Sequence, residues 1–384
     1  MASELRVNTI TSTTGVGTVT LGSSGVSFSG TPTFNDVTLS SINGNPISGP
    51  RNKFINGNFD IWQRGSSLAG QGANGLVYLA DRWAIETWGS TTARVTYDRA
   101  LDAPTVGGTV GFSSYSARVT VTTTSSNPTN DFGVFRQFIE GYNAQDLYQR
   151  PFTISFWVKS SLVGTYALSA YGGGVGPGQS AGTPSFSQTY TINNANTWEY
   201  KIIQVPACPA GTYSNWDFGN GRGFDIIWRL WSNTGTYSGS FGTWNTNTYS
   251  LPGATTNFAG TNGATWQIAQ VQLEVGTVAT PFERRFIGQE LALAQRYYYQ
   301  LNGDELGVTY NANFLTVPRL TFPVPMRTQP SLYNFSFSPQ SGNAGTPGIQ
   351  GTGSSNNGVV IYNTLNNWTT GVQMWFNGGF TAEL

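Results

Sequence analysis

The sequence predicts an all-β protein, and three observations predict it. Aromatic residues make up 14% of the 384 residues, as 23 Phe, 18 Tyr and 12 Trp, and such rings suit pleated, half-buried surfaces. Glycine occurs 48 times, among many Thr and Ser, which is the composition of short strands joined by tight turns. Several stretches alternate apolar and polar residues with a period of two, the spacing of a strand with one face buried. The length is enough for two or three domains.

Residues 1–50 differ from the rest. They are rich in Thr, Ser and Gly and carry single apolar residues at short intervals, among them Leu5, Val7, Ile10, Val19, Leu21, Phe28 and Phe34. Burying so few side chains falls short of offsetting about 1–2 kcal/mol of backbone entropy per residue. The segment is therefore either a disordered tail or a set of strands that intertwine with sister copies and dock on another protein. The regular spacing favours the second, an extended β-rich stalk that anchors and oligomerises. Gly49-Pro50 marks the expected boundary.

Beyond it the strands are longer and more aromatic, the pattern of a sandwich over residues 51–285. Tyr115, Ala117, Val119 and Val121 alternate with Ser116, Arg118 and Thr120. Phe152, Ile154, Phe156 and Val158 alternate with Thr153, Ser155, Trp157 and Lys159. Phe224, Ile226, Trp228 and Leu230 alternate with Asp225, Ile227, Arg229 and Trp231. Gly-rich loops at 172–182 and 232–265 separate such runs. Ile287, Leu291, Ala294 and Tyr298 fall on one helical face, which predicts a helix linking the sandwich to the C-terminal region. Residues 286–384 then hold that helix and a small β domain. Leu320, Phe322, Val324 and Met326 alternate there, but Pro318, Pro323 and Pro325 restrict that stretch to an edge strand. Val372, Met374 and Phe376 predict a further strand ending near Phe380.

Composition excludes several kinds of chemistry. The chain has no His, so Ser-His-Asp and Cys-His pairs and His-containing zinc sites are impossible. One cysteine, Cys208, allows no intrachain disulfide, and its place between prolines fits a small apolar filler. Zero net charge with 10% charged residues gives no electrostatic footprint for nucleic acid and no polybasic membrane patch. No apolar run approaches the roughly 20 residues of a membrane span. Met1–Ile10 lacks the apolar core of a signal peptide, so the chain is expected to be made in the cytoplasm without one.

Several stretches together resemble a known family. Asn52-Lys53-Phe54-Ile55-Asn56-Gly57-Asn58-Phe59-Asp60-Ile61-Trp62-Gln63-Arg64-Gly65 and Ala80-Asp81-Arg82-Trp83 resemble the opening of many bacteriophage tail-fibre and tail-associated proteins. Val271–Gly276 and Ala279–Arg285 resemble the closing strand of their jelly roll, which is similar to carbohydrate-binding modules. Glu290–Tyr298, Phe322–Arg327 and the terminal Phe380–Leu384 resemble the region after the jelly roll in those proteins. Ser3-Glu4-Leu5-Arg6-Val7-Asn8-Thr9-Ile10 resembles the N-terminal anchor of phage fibres, marine and cyanobacterial ones above all. The resemblance implies a virion protein of the tail, neck or head, usually a homotrimer. It would be made in the host cytoplasm and attached to another virion protein through residues 1–50. The loops between the motifs resemble nothing specific.

Two constellations could carry function. Rings beside Asn, Ser and Gly suit the flat faces and hydroxyl edges of sugars. Trp231, Tyr237, Trp244 and Tyr249 lie in such a segment and are the candidates for contact with host-surface glycan, or with a neighbouring subunit. Trp216 belongs to the same segment, whereas Trp228 alternates with apolar neighbours and reads as core. Asn58, Asp60 and Glu274 could supply oxygens to a structural calcium, the one cofactor considered. The competing and favoured reading pairs the carboxylates at the ends of the jelly roll with Arg64, Arg82 and Arg284. Catalysis by paired carboxylates would fall to Asp217 and Asp225. No coil repeat of the β-helix spikes that degrade polysaccharide is visible, so the expectation is a non-enzymatic adhesin. A purely structural appendage is its alternative, and a degrading spike a more distant one.

Overall fold

Alternation at Phe152, Ile154, Phe156 and Val158 puts four side chains on one face of a strand, and all four are fully buried. Phe224, Ile226, Trp228 and Leu230 do the same on a second strand. The two rows belong to different sheets and meet in one core, as the T-shaped contact of Phe156 with Trp228 at 5.5 Å shows.

The computed structural model describes residues 41–42, 45–46, 50–72, 75–89, 93–104, 113–125, 131–173, 183–210, 216–231, 240–246, 256–305, 309–311, 314–316, 319–339, 346–349, 354–364 and 374–384. Ser41–Leu384 form one compact unit. The expected anchor residues Leu5, Val7, Ile10, Val19, Leu21, Phe28 and Phe34 lie outside the described residues.

A two-stranded pair, β1 (Ser41–Ile42) and β2 (Asn45–Pro46), comes first. Next come β3 (Ser67–Gln71), β4 (Gly75–Tyr78), β5 (Ala84–Trp88), β6 (Arg94–Ala100), β7 (Ser116–Thr123) and β8 (Phe132–Glu140). A helical turn, α1 (Gly141–Ala144), precedes β9 (Phe152–Ser160), β10 (Gly164–Gly172), β11 (Pro184–Ile192), β12 (Glu199–Val205), β13 (Arg222–Trp231), β14 (Trp244–Thr246) and β15 (Thr265–Val275). One sheet has the order β14-β11-β10-β13-β8-β5-β4 and the other β12-β9-β15-β7-β6-β3, with antiparallel pairing throughout. Among its described residues the long loop at 232–265 thus contains a strand, β14, and a 3-10 turn at Phe258–Gly260.

The Asn52–Trp62 stretch is a coil that plugs this sandwich. Asn56 and Phe59 adopt left-handed φ angles of 59° and 57°, and the Asn56 side chain offsets the strain. Its amide donates to the carbonyls of Ile61 and Asp81 and accepts the Ile61 N–H. The coil drives Phe54 and Phe59 against Trp83, with ring centroids 5.2 and 5.1 Å away. Trp83 stacks on Phe135 at 5.3 Å. Each such ring removes about 150–250 Å² from water, so this aromatic knot anchors the core. Cys208 is buried, and burial pushes its thiol up to about 12, a filler and not a thiolate.

The C-terminal region departs from two expectations. The helix α2 (Ile287–Gln295) forms, but its inward face is Leu291, Leu293 and Ala294, against Ile55 and Ile61. Ile287 is exposed, and Tyr298 lies beyond the helix, at the start of β16 (Tyr298–Glu305). The remaining strands are β17 (Thr309–Asn311), β18 (Phe314–Thr316), β19 (Leu320–Thr321), β20 (Ser331–Pro339), β21 (Thr346–Ile349), β22 (Gly358–Val359), β23 (Ile361–Thr364) and β24 (Met374–Thr381). They pair as β16-β24-β20, β17-β18-β23-β21 and β19-β22. The expected edge strand over 320–326 shrinks to β19, because prolines 323 and 325 cannot donate to a ladder. Phe322 and Met326 are nevertheless buried, in a small core with Leu301, Val359, Ile361 and Phe380. Val372 lies outside the described residues, and the strand expected around it is β24.

A buried ionic junction ties this region to the sandwich. Arg82 pairs with Glu383 and donates to the Phe138 carbonyl at 2.6 Å, with its guanidinium 3.6 Å from the centre of the Tyr297 ring. Arg64 reaches Glu383 at 3.0 Å and lies 3.6 Å from the centre of Tyr298. Arg327 donates to the carbonyls of Ala382 and Glu383 at 2.8 and 2.9 Å. Across the same junction Tyr297 and Arg296 both donate to Glu140, at 2.5 Å.

Candidate functional site

The outer face of a sandwich sheet ordinarily meets water, and the outer face of the seven-stranded sheet does not. Registers align its side chains in cross-strand rows. Ser185, Tyr171 and Asp225 form one row. Ser187, Ser169, Ile227, Arg136 and Ala84 form the next, and Thr189, Ala167, Arg229, Val134 and Glu86 the third. These residues alternate with the core residues Phe186, Leu168, Ala170, Ile226, Trp228, Phe135 and Ile85. They point away from the core and are still recessed: Arg229 is 2% exposed, Arg136 4% and Asp225 5%.

Burial of so many polar groups requires partners, and cross-strand geometry supplies them. Ser169 and Ser187 share a hydrogen bond of 2.8 Å between β10 and β11. Arg229 of β13 donates to the Tyr171 hydroxyl of β10 at 2.6 Å and to Ser169 at 3.5 Å. Arg136 of β8 bridges Asp225 of β13 and Glu86 of β5, with Nε 3.1 Å from Asp225 Oδ1. Burial pushes the Asp225 carboxyl up, even with Arg136 beside it. Burial also works against the charge of Arg136, but Asp225 and Glu86 together hold its proton more firmly. At the end of the third row the face opens. Trp88 pairs across the ladder with Phe132 and is 55% exposed, beside the partly exposed Glu86. Together these make a buried floor of paired donors and acceptors, with Trp88 and Glu86 at its open end. The strand alternation did contain this signal. Asp225 and Arg229 were legible as one face, but the rows across β10, β11 and β8 need the register.

The expected glycan contacts fare differently. Trp231 is 1% exposed, stacks on Phe258 at 6.4 Å and covers Gly133 so closely that a Cβ there would lie 2.0 Å from the indole. It is a core residue and not a ligand contact, because the irregular register between Arg229 and Trp231 sets it on Gly133. Trp244 is half-buried on Phe186 at 5.8 Å and donates its Nε1–H to the Pro206 carbonyl at 2.8 Å, which closes a sandwich edge. Tyr237 and Tyr249 lie outside the described residues. Trp216 wedges between Phe224, Tyr148 and Phe218.

The calcium set is not assembled. Glu274 accepts from the Thr280 N–H, the Thr280 hydroxyl and the Gln272 amide at 2.8, 2.6 and 2.8 Å, so both its oxygens are in use. Asn58 and Asp60 bond each other at 2.9 Å. Glu283 lines one groove with Asn58 and Asp60, but it holds the N–H groups of Arg51 and Asn52 at 3.1 and 2.8 Å. Among the described residues no three Asp, Glu, His or Cys side chains come together as a metal site. The reading that pairs terminal carboxylates with arginines holds for Asp81 with Arg64. The main partner of Arg64 and Arg82 is Glu383, 301 residues beyond Arg82, which sequence spacing did not suggest. Asp217 accepts the Gly219 N–H at 2.7 Å and shapes a turn, while Asp225 is held in the Arg136 bridge. Among the described residues no helix is long and apolar enough to cross a membrane.

No protein-family model and no curated protein matches the sequence. Solved structures do match in part. A tailspike protein 4 enzymatically active domain of bacteriophage CBA120 is 17% identical over 50% of this chain, with a TM-score of 0.27; the match takes in 19% of that domain's length. The family 11 carbohydrate-binding module of a Clostridium thermocellum cellulosomal cellulase is 11% identical over 54% of this chain and 96% of its own, with a TM-score of 0.28. A CBM22 xylan-binding domain of Paenibacillus barcinonensis Xyn10C is 12% identical over 50% of this chain and 91% of its own, with a TM-score of 0.26.

Proposed function

We propose that the chain is a fibre subunit of a phage virion, without catalytic activity, that recognises host-surface glycan at the open end of the outer face of its seven-stranded sheet, around Trp88 and Glu86. One observation carries the recognition: an exposed tryptophan, Trp88, stands two residues from the partly exposed Glu86 on β5, at the open end of a face whose other polar side chains are buried and paired across strands. Sugars offer hydroxyls that both donate and accept, and flat C–H faces. The partly exposed Glu86 carboxylate accepts from the first and the exposed Trp88 ring matches the second. Glu86 is held by Arg136 of the neighbouring strand, so little ordering of that carboxylate remains to be done when a ligand binds. The fibre role is supported by the resemblance of both ends of the chain to phage fibre proteins and by the apolar poverty of residues 1–50. That segment would join three copies and fix them to another virion protein.

Binding of the full chain to host cells and to a glycan array tests the recognition. Trp88→Ala should weaken binding by about tenfold, the value of one ring–ligand contact, and should leave thermal stability unchanged because Trp88 is exposed. If the wild-type chain binds no host strain, the purely structural appendage is the better reading. Oligosaccharide release that disappears with Asp217→Asn would instead restore the degrading spike.

A further inference from the structure

We infer that the lip formed by Phe286 and the first turn of α2 is a contact between copies of this chain. The inference rests on the fibre reading, because it takes residues 1–50 to bring copies together. Phe286 is 87% exposed and Ile287 60%. They stand side by side where the connector from β15 turns into α2, and Phe286 sits in an extended conformation just before the helix. An exposed Leu or Ile alone needs no explanation, but two adjacent large apolar side chains at the rim of a groove do. The groove encloses about 520 Å³ and is lined by Gly57, Asn58, Tyr115, Phe282, Phe286 and Ile287 among others.

What makes a second copy the occupant is where the chain enters the body. The N–H groups of Arg51 and Asn52 donate to Glu283, and Arg51 donates to the Thr280 hydroxyl at 3.0 Å. Arg285 clamps the carbonyls of Asn52 and Phe54 and pairs with Glu290 at 3.1 Å. Arg51 and Asn52 therefore lie at the same rim as Phe286 and Ile287, and the compact body begins a few residues earlier, at Ser41. Residues 1–50 hold too few apolar side chains to fold alone and need strands from sister chains. Copies joined through the residues ahead of Ser41 are tethered to one another by short lengths of chain. Short tethers give effective concentrations near millimolar, enough for a small apolar contact to close. Aromatic anchors such as Phe at the centre of a contact are the residues that hold interfaces together.

Light scattering of the full chain across a dilution series tests this, on wild type and on Phe286→Ser with Ile287→Ser. Both side chains are exposed, so the fold should be unchanged by circular dichroism. The expected result is a wild-type oligomer and a variant whose dissociation midpoint rises at least tenfold in concentration. As a second measurement, Phe286→Cys should give linked chains with a short bismaleimide, since the native Cys208 is buried. A wild-type oligomer that the double variant leaves unchanged, with no linked chains, overturns the interface and spares the fibre reading. A wild-type monomer at every concentration overturns both.

Discussion

Asp81 shows how one buried carboxyl acts on this body. It is fully buried and accepts from the Gln63 N–H at 3.3 Å, from the Gln63 amide, and from Arg64 at 3.5 Å. Burial lifts it from 3.8 to about 6, with Arg64 and Gln63 pulling the other way. The folded chain thus holds this proton more tightly than the unfolded chain. The resulting stabilisation is fully present below the unfolded value and is lost as pH rises through about 6. It amounts to about 3 kcal/mol at most, from about 1.4 kcal/mol per unit. Asp81→Asn removes the titration while keeping the shape. The stability difference, wild type minus variant, should therefore fall by up to about 3 kcal/mol between about pH 4 and 7 in urea titrations. A difference that stays flat over that range would mean Asp81 is solvated in the folded chain.

At the level of strands, Arg136 joins three of them, β5, β8 and β13, through Glu86 and Asp225. Removing one member of a buried pair strands the other, and that typically costs roughly 3–5 kcal/mol. Arg136→Met should cost that much in urea unfolding, whereas Arg136→Met combined with Asp225→Leu should recover most of it. A loss under about 1 kcal/mol for the single change would show that water reaches Asp225. The strands themselves were legible in the sequence wherever one face is apolar, as at Phe152–Val158 and Phe224–Leu230. The candidate floor was half legible: the alternation separates Asp225, Ile227 and Arg229 from the core row. That all three are recessed depends on neighbours far along the chain. Trp231 misled for a related reason. Period-two reading puts it on the outer face, and a break in the β13–β8 register turns it onto Gly133 instead. Prolines explain the shortened strand at Leu320, and the helix turned its Leu291–Ala294 face inward because Ile55 and Ile61 are there to receive it.

For the whole molecule, the question is what holds the described C-terminal strands against the sandwich, since a region of about 80 residues is marginal as an independent core. Their own core is small, and the answer lies in the junction. Glu383 lies just past the end of β24 and meets Arg82 and Arg64, whose side chains are 1% and 2% exposed. Two buried cations sharing one carboxylate make that residue more consequential than any exposed ion pair. The Tyr297 and Tyr298 rings cover the two guanidiniums, so water cannot easily replace the carboxylate. Glu383→Gln keeps the size and the hydrogen-bond acceptor but removes the charge. It should destabilise the body by roughly 3–5 kcal/mol, and it should do so unevenly. In calorimetry the wild-type body, Ser41–Leu384, should unfold in one main transition, while the variant should lose its C-terminal region first, as a separate transition at lower temperature. Should the variant keep a single transition at the wild-type temperature, the docking would have to come from Glu140, which Tyr297 and Arg296 hold independently across the same junction.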